Sequence, residues 1–484
     1  MNDGSSAGTL ADVLRGELDR YSPDEKLPSS RALVERFGVS PVTVSRALAQ
    51  LVSEGLVFTR PGAGAFRARP GAGSAVPVDT SWQQIALTAE GQHGEAAPRI
   101  VDASGVLAAL ESPLPGVIAF NGGYLHPSLQ PELALGAAFA RASRRPGAWQ
   151  RPPLEGLTDL RAWFARDVGG PGGDITPAHV LVTAGGQAAL TTSLHALTPP
   201  GSAVLVESPT YPGVLAVARA AGLRPVPVPV DGDGVRPDLL EAAFASTGAR
   251  VFYCQPLFHN PTGAVLSAER RRRVVEIAHA AGAFLVEDDF ARRLGHGGPL
   301  PRPLLADDPY GTVVHVTSLT KPTSPNLRVG ALVARGPVMA RLRAIQVVDS
   351  FFVPRPLQEA TLELVGSPAW ARHLRGIAGG LRERRDALFG ALHRYLPGLA
   401  AGVRTPAGGY HLWVGLPDGT DEGALTTACL RAGVAVSPGR PFFAAEPPAP
   451  HIRISFADTA GTDEIAEGVQ RIASVCAEAG VPVR

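Results

Sequence analysis

Residues 317–330 of this 484-residue chain read TSLTKPTSPNLRVG, and the lysine among them, Lys321, is one of only two, with Lys26, against 43 arginines. A guanidinium stays protonated, whereas a desolvated lysine amine can attack a carbonyl and form a Schiff base. Other residues nearby in pattern suit a flat anionic partner. Gly185 and Gly186 in TAGGQAAL fall between an apolar run and a helical one. There the backbone can approach an anion and helix N–H groups can hold it. Arg328 follows Lys321 by seven residues and can grip phosphate oxygens with two N–H bonds, while Ser318, three before it, offers a hydroxyl. Tyr211 in ESPTYPG can stack on a ring. Asn260 in HNPTG offers an amide, and Asp288 in VEDDF ends an apolar run with a carboxylate that can pair with a protonated ring nitrogen. Taken singly, the glycine pair is a common tight turn, the tyrosine a packed loop residue and the Asn-Pro a turn marker.

Elements of two kinds must position these residues. From about Val117 onward, apolar strand-like runs alternate with helical ones, as in HVLVTAGGQAALTTSLHAL and AVLVESPTYPGVLAVARAAG. Strands apolar throughout predict a parallel sheet covered on both faces, with ligands beyond the C-terminal strand ends. Each residue named above falls at such an end. The first 68 residues follow another logic. TLADVLRGELDRY spaces Leu10, Val13, Leu14 and Leu18 at helical intervals. SSRALVERFG predicts a short helix stopped by Gly38, and PVTVSRALAQLVSEG a third helix with Ser40 as N-cap and Pro41 at its first position. LVFTRPGAGAFRAR then alternates around a glycine turn as a hairpin does. Helix, helix, tight turn, helix, hairpin is the order of a winged helix-turn-helix, whose third helix enters the DNA major groove. Residues 69–115, rich in Gly, Ala and Pro, predict a connector, with a short helix in SGVLAALES.

Composition narrows the class. The formal net charge of +1 makes any basic surface local, and three scattered cysteines fit neither a disulfide framework nor a zinc site. Without a signal-like start or a long apolar run, the expectation is a cytoplasmic protein that makes no membrane contact.

The stretch KLPSSRALVERFGVSPVTVSRALAQLVSEGLVFTRPGAGAF, residues 26–66, resembles the DNA-binding domain of GntR-family regulators. That resemblance implies that Arg31, Ser40, Thr43 and a wing over residues 60–64, beginning with Arg60, face an operator in double-stranded DNA, with Ser45 and Arg46 nearby. Pro41 departs from the arginine many relatives carry. Between about Phe120 and Phe456, the motifs GGQ, SPTYPG, NPTG, EDD and SLTKPTSPNLRVG resemble fold-type I, aspartate aminotransferase-like enzymes. The combined set of anion cradle, stacking ring, amide, carboxylate, lysine and arginine describes pyridoxal 5′-phosphate. The resemblance implies that Lys321 carries this cofactor as a Schiff base. Asp288 would hold the pyridine nitrogen, Asn260 the ring hydroxyl and Tyr211 the ring face. Gly186, Gln187, Ser318 and Arg328 would hold the phosphate, and Arg453 in HIRISFA an amino acid's α-carboxylate.

The two parts in this order resemble MocR-type regulators within the GntR family. The expected organisation is a winged helix-turn-helix over 1–68, a connector over 69–115 and an aminotransferase-like domain over 116–484. Within the last, a large parallel-sheet subdomain spans about 155–350 and a small one about 355–484. The resemblance implies a homodimeric transcription factor that senses the cofactor, with or without an amino acid or amine. The alternative is a working aminotransferase with a DNA-binding appendage. Two departures bear on the choice. Phe290 stands where relatives usually have a tyrosine that bonds the ring oxygen, and WQRPPLEGLTDLR lacks the tyrosine a partner subunit often extends to the phosphate, leaving Trp149 or Arg151 as substitutes.

Overall fold

The computed structural model describes residues 3–60, 63–68, 101–107, 110, 115–170 and 172–481. Most of the expected connector, and Pro61 and Gly62 of the expected wing, lie outside the described residues. The chain divides into two compact units, residues 1–98 and 99–484.

The first unit has helices α1 (Asp3–Glu17), α2 (Ser30–Phe37) and α3 (Pro41–Ser53), followed by an antiparallel pair, β1 (Val57–Arg60) and β2 (Gly64–Arg67). Ser29 caps α2 by accepting from Ala32 N–H, and Gly38 ends it at φ +63°, a left-handed turn that favours glycine. Ser40 then caps α3, with Pro41 in the first turn. Leu10, Leu14, Leu18, Leu33, Val44, Leu48 and Leu51 form the core. Val13 is an exception to the expected face: it is 44% exposed, because the buried stripe of α1 follows Leu10 and Leu14 and continues to Leu18, leaving Val13 to one side.

The second unit is built on an eight-stranded sheet. Its strands are β4 (Val180–Thr183), β5 (Ala203–Ser208), β6 (Arg224–Asp231), β7 (Gly234–Val235), β8 (Val251–Cys254), β9 (Phe284–Asp289), β10 (Val313–Ser318) and β11 (Gly330–Val333). Their spatial order is β4-β11-β10-β9-β8-β5-β6-β7. The run β10-β9-β8-β5-β6 is parallel, as expected for strands buried throughout. The sheet as a whole is mixed, with antiparallel strands flanking the parallel run. β11 runs antiparallel to both β4 and β10, and β7 antiparallel to β6. Residues 319–329 join β10 to β11 without a helix, too little chain for a parallel crossover, so the strand returns beside its neighbour.

A second core lies around a three-stranded sheet of β12 (His411–Gly415), β15 (His451–Ser455) and β14 (Ser437–Pro438). Leu412, Val414, Ile452 and Ile454 pack with the helices Pro368–Tyr395 and Thr462–Glu478 through Leu381, Leu388, Ile465 and Ile472. The alternate residues Trp413 and Arg453 face each other on the opposite side. A short parallel pair, β3 (Ile118–Ala119) with β13 (Val434–Ala435), leads the chain into the segment 120–124 beside the site. Among the described residues no helix is long and apolar enough to cross a membrane.

Candidate functional site

Several segments converge at the C-terminal ends of the large sheet. Behind β4, Gly185 adopts φ +84° and opens the helix Gly186–Leu197. A Cβ on Gly185 would lie 2.9 Å from Arg328 Nη2, so glycine alone leaves a space between the helix N-terminus and that guanidinium. Ser318 Cβ is 3.7 Å from the Cβ position of Gly186, and Arg328 donates to Ala184 O at 3.1 Å. Gly185, Gly186, Ser318 and Arg328 therefore surround one opening. Gln187 and Tyr211 are joined to each other: Tyr211 Oη donates to Gln187 Oε1 at 3.1 Å, and Gln187 Nε2 to Gly213 O at 3.3 Å. Burial pushes the Tyr211 phenol up, which keeps it neutral and its hydroxyl a donor.

Lys321 Nζ donates to Gly123 O at 2.7 Å and sits 3.9 Å from the ring centre of Tyr124. Burial, then the positive charges of Arg453 and Arg328, lower its pKa from 10.5 to about 7, with Asp288 pulling the other way. Much of the amine is thus unprotonated near neutrality, as a nucleophile must be. Asp288, at the end of β9, is buried, and Tyr253 Oη and Gln255 Nε2 donate to its Oδ2 at 2.7 and 2.8 Å. Burial raises its pKa to about 6 in spite of those two donors.

Arg453 is buried on β15. It donates to Asn260 Oδ1 (3.2 Å), Asn121 O (2.9 Å) and Ser437 Oγ (3.2 Å), and its Nε has no partner. Burial lowers its pKa to about 10, so it stays cationic at neutral pH. Its guanidinium carbon lies 5.1 Å from the Phe442 ring centre. Phe290 is half-buried and meets the buried Tyr410 edge to face at 6.5 Å, and Tyr410 Oη donates to Gly123 O at 2.7 Å.

These residues fit pyridoxal 5′-phosphate on the chain's own features. The glycine opening faces Arg328 and the N-terminus of a twelve-residue helix, a suitable phosphate cradle. A low-pKa amine, a buried carboxylate and a buried guanidinium with a spare N–H complete the donor set. Tyr124, Tyr253, Gln255 and Tyr410 belong to this site and were not foreseen. Tyr253 and Gln255 had a legible signal, since they are polar residues two apart at the end of an apolar strand and so share a face.

In the first unit, Arg31, Ser40, Ser45, Arg46 and Arg60 are exposed. Arg60 lies over Phe58 and Phe66, at 5.2 and 5.0 Å from their ring centres, which steadies it at the wing. Lys26 runs along the wing, its Cε 3.2 Å from the Cβ position of Gly64. Thr43 corrects the expected surface. It is 4% exposed, its N–H donates to Ser40 Oγ at 3.1 Å, and its hydroxyl lies 2.8 Å from that oxygen. Its side chain serves the helix cap and is not presented to DNA.

A winged helix and a pyridoxal phosphate fold in one chain define a class of DNA-binding proteins with an enzyme-like second unit. Comparison with known families agrees. Residues 9–66 match the bacterial regulatory proteins of the gntR family, and residues 122–472 match aminotransferase class I and II. The chain belongs to the GntR-family transcriptional regulators that carry an aminotransferase class I and II domain after the DNA-binding one. It is 30% identical over 437 residues to the uncharacterized HTH-type transcriptional regulator YisV of Bacillus subtilis, covering 88% of this chain and 86% of that one. It is 28% identical to the HTH-type transcriptional regulator TauR of Rhodobacter capsulatus, covering 94% and 92%. Among solved structures it resembles LysN, the α-aminoadipate aminotransferase of Thermus thermophilus. That match has 32% identity and a TM-score of 0.70 over 78% of this chain and 97% of that one.

Proposed function

We propose that this protein is a cytoplasmic transcriptional regulator that binds an operator through residues 1–68 and responds to pyridoxal 5′-phosphate, an amino compound, or both, through residues 116–484. The observation that carries the reading is one chain holding both an exposed basic surface on a winged helix and a low-pKa lysine amid cofactor-binding donors. Arg31, Ser40, Ser45, Arg46 and Arg60 contact the duplex. Gly186, Gln187, Ser318 and Arg328 hold the cofactor's phosphate, Asn260 its ring hydroxyl, Asp288 its ring nitrogen and Tyr211 its ring face. Lys321 attaches it. When bound, pyridoxal phosphate supplies an electrophilic carbon and an electron sink. Lys321 presents its amine, Arg453 orients an incoming carboxylate, and Asp288 supplies the counter-charge for a protonated ring nitrogen. With Phe290 in place of a tyrosine, Asn260 is the main donor to the ring oxygen, which favours holding and exchanging ligands over rapid turnover.

The working partner is a second copy of the chain. Trp149 is 80% exposed, and Arg151 nearby is exposed too. A large exposed aromatic suits coverage by another protein surface, and both residues suit a reach toward the partner's phosphate site. Sedimentation tests this: a dimer that Trp149→Glu weakens supports it, and a wild-type monomer at micromolar concentration refutes it.

The enzyme reading draws on the same Lys321 and Arg453 and on the likeness to LysN. Operator binding measured with and without the cofactor and a panel of amino acids separates the two. The regulatory reading expects a several-fold change in DNA affinity. DNA affinity indifferent to every ligand, together with turnover in the usual enzyme range of roughly 1–10³ per second, would transfer the function to the enzyme reading.

A further inference from the structure

Asp288 is supported from behind by the neighbouring strand. Tyr253 and Gln255, two residues apart, both donate to Oδ2, while Oδ1 has no protein donor among the described residues. Gln255 is buried and bonds beyond Asp288 as well. Its Oε1 accepts from Asn260 N–H at 3.1 Å, and its own N–H donates to Glu207 Oε2 at 2.7 Å. Because the oxygen end of the amide already accepts a backbone N–H, the NH₂ end is the one that meets the carboxylate. An amide nitrogen has no acceptor capacity, so it supports the ionised carboxylate at that oxygen.

One side chain thus joins the carboxylate at the end of β9 to the backbone of Asn260. From Asn260 Oδ1 the path continues to Arg453. Burial opposes ionisation of Asp288, and so does the adjacent Asp289, while His315 on β10 favours it. Asp289 is itself paired with Arg292, and His315 with Glu287. Lys321 is the charged group facing Asp288 from the cofactor side, and Tyr211 and Tyr253 are the titratable phenols beside it.

We propose that Gln255 is a positioning residue that keeps Asp288 anionic with Oδ1 free for the ring nitrogen, and ties that carboxylate to Asn260 so that the two ring contacts hold one spacing. The proposal rests on Asp288 being the partner of the ring nitrogen. Gln255 bonds to Asp288 and to the backbone of Asn260, and it acts through those two residues.

The test uses the full-length protein, ¹⁵N-labelled pyridoxal 5′-phosphate, and the variants Gln255→Met, Gln255→Glu, Tyr253→Phe and Asp288→Ala. The readouts are cofactor dissociation constant, the ring-nitrogen chemical shift, and melting of the cofactor-free protein. Gln255→Met is expected to weaken cofactor binding roughly tenfold, the scale of one hydrogen bond to a charged group, and to move the ring nitrogen toward its unprotonated shift. Gln255→Glu keeps the volume but turns an oxygen toward Asp288, so it shifts both readouts further. Tyr253→Phe moves both in the same direction. Weaker binding with an unmoved nitrogen shift in both Gln255 variants would mark Gln255 as packing alone and overturn the proposal. The proposal is equally overturned if both variants match wild type while Asp288→Ala loses binding and shift. If Asp288→Ala itself changes neither readout, the reading of Asp288 falls, and the proposal with it. Should Gln255→Met fail to fold, Gln255→Glu and Tyr253→Phe decide by the nitrogen shift.

Discussion

Replacing Lys321 by methionine keeps most of the length of the side chain and removes an amine enclosed by the site, and the cofactor-free protein should become more stable as a result. The Lys321 pKa is about 7 in the folded chain against an ordinary 10.5. Folding therefore expels a proton between those values, so the unfolded chain binds more protons there and stability rises with pH across that window. Below pH 7 both states hold the proton and the full penalty applies. A gap of about 3.5 units at 1.36 kcal/mol each gives on the order of 5 kcal/mol. Methionine also loses the bond to Gly123 O, about 1 kcal/mol, which leaves a net gain of about 4 kcal/mol at pH 6. Near pH 10.5 the ionisation penalty is gone and the lost bond to Gly123 O remains, so the variant should be the less stable by about 1 kcal/mol. The assay is denaturant unfolding of both cofactor-free proteins at pH 6, 8 and 10, followed by tryptophan fluorescence, since four of the five tryptophans lie in residues 99–484. Equal stability at pH 6, or a difference that does not shrink toward pH 10, would refute the reasoning that burial and the two arginines hold this amine down.

Borohydride treatment of the cofactor-loaded protein should leave a covalent adduct on Lys321, read by peptide mass. An adduct persisting in Lys321→Ala would sink that, and Lys26 is the only other lysine able to carry it. Arg31→Ala and Arg46→Ala should each weaken binding to a mapped operator by about 1–3 kcal/mol where they read a base, and leave the cofactor's absorption spectrum unchanged. Thr43→Val should instead lower the melting point of residues 1–68 through loss of its hydroxyl's bond to Ser40 Oγ, worth about 1 kcal/mol; a change of operator preference at unchanged stability would contradict its assignment to support of the cap. Phe290→Tyr should add a donor beside Asn260, shift the pH titration of the bound cofactor's absorbance and raise any transamination rate, as single-turnover kinetics would reveal. A tyrosine variant matching wild type in both would remove the significance given to that ring.

Residues that act through local chemistry were legible in the sequence. Gly38, Ser40 and Pro41 announce a turn and a helix start by backbone geometry and capping, and they form one. Lys321, Asp288 and Arg328 stand out because each is a chemistry-bearing residue at the edge of an apolar run. What stayed hidden depends on tertiary neighbours. Thr43 carries the same hydroxyl whether it faces DNA or folds under a cap, and only the depth of α3 in its small core decides. The antiparallel return of β11 turns on how short the connection from β10 is, which apolar composition does not express. Gln255 and Tyr253 gain their meaning from a strand 33 and 35 residues away in the chain, where Asp288 ends beside them.

The segment 120–124 receives three of the site's hydrogen bonds, from Lys321 and Tyr410 at Gly123 and from Arg453 at Asn121, across chain separations of 198, 287 and 332 residues. Contacts of that span form late, because large loops must close before any of them is rewarded. The site consequently has no local precursor: no single helix or hairpin carries enough of it to retain a ligand. Cofactor capture then reports that residues 99–484 have finished folding. In a refolding experiment the colour of the bound cofactor should appear with the slowest phase, and partly folded chains should remain blind to the ligand.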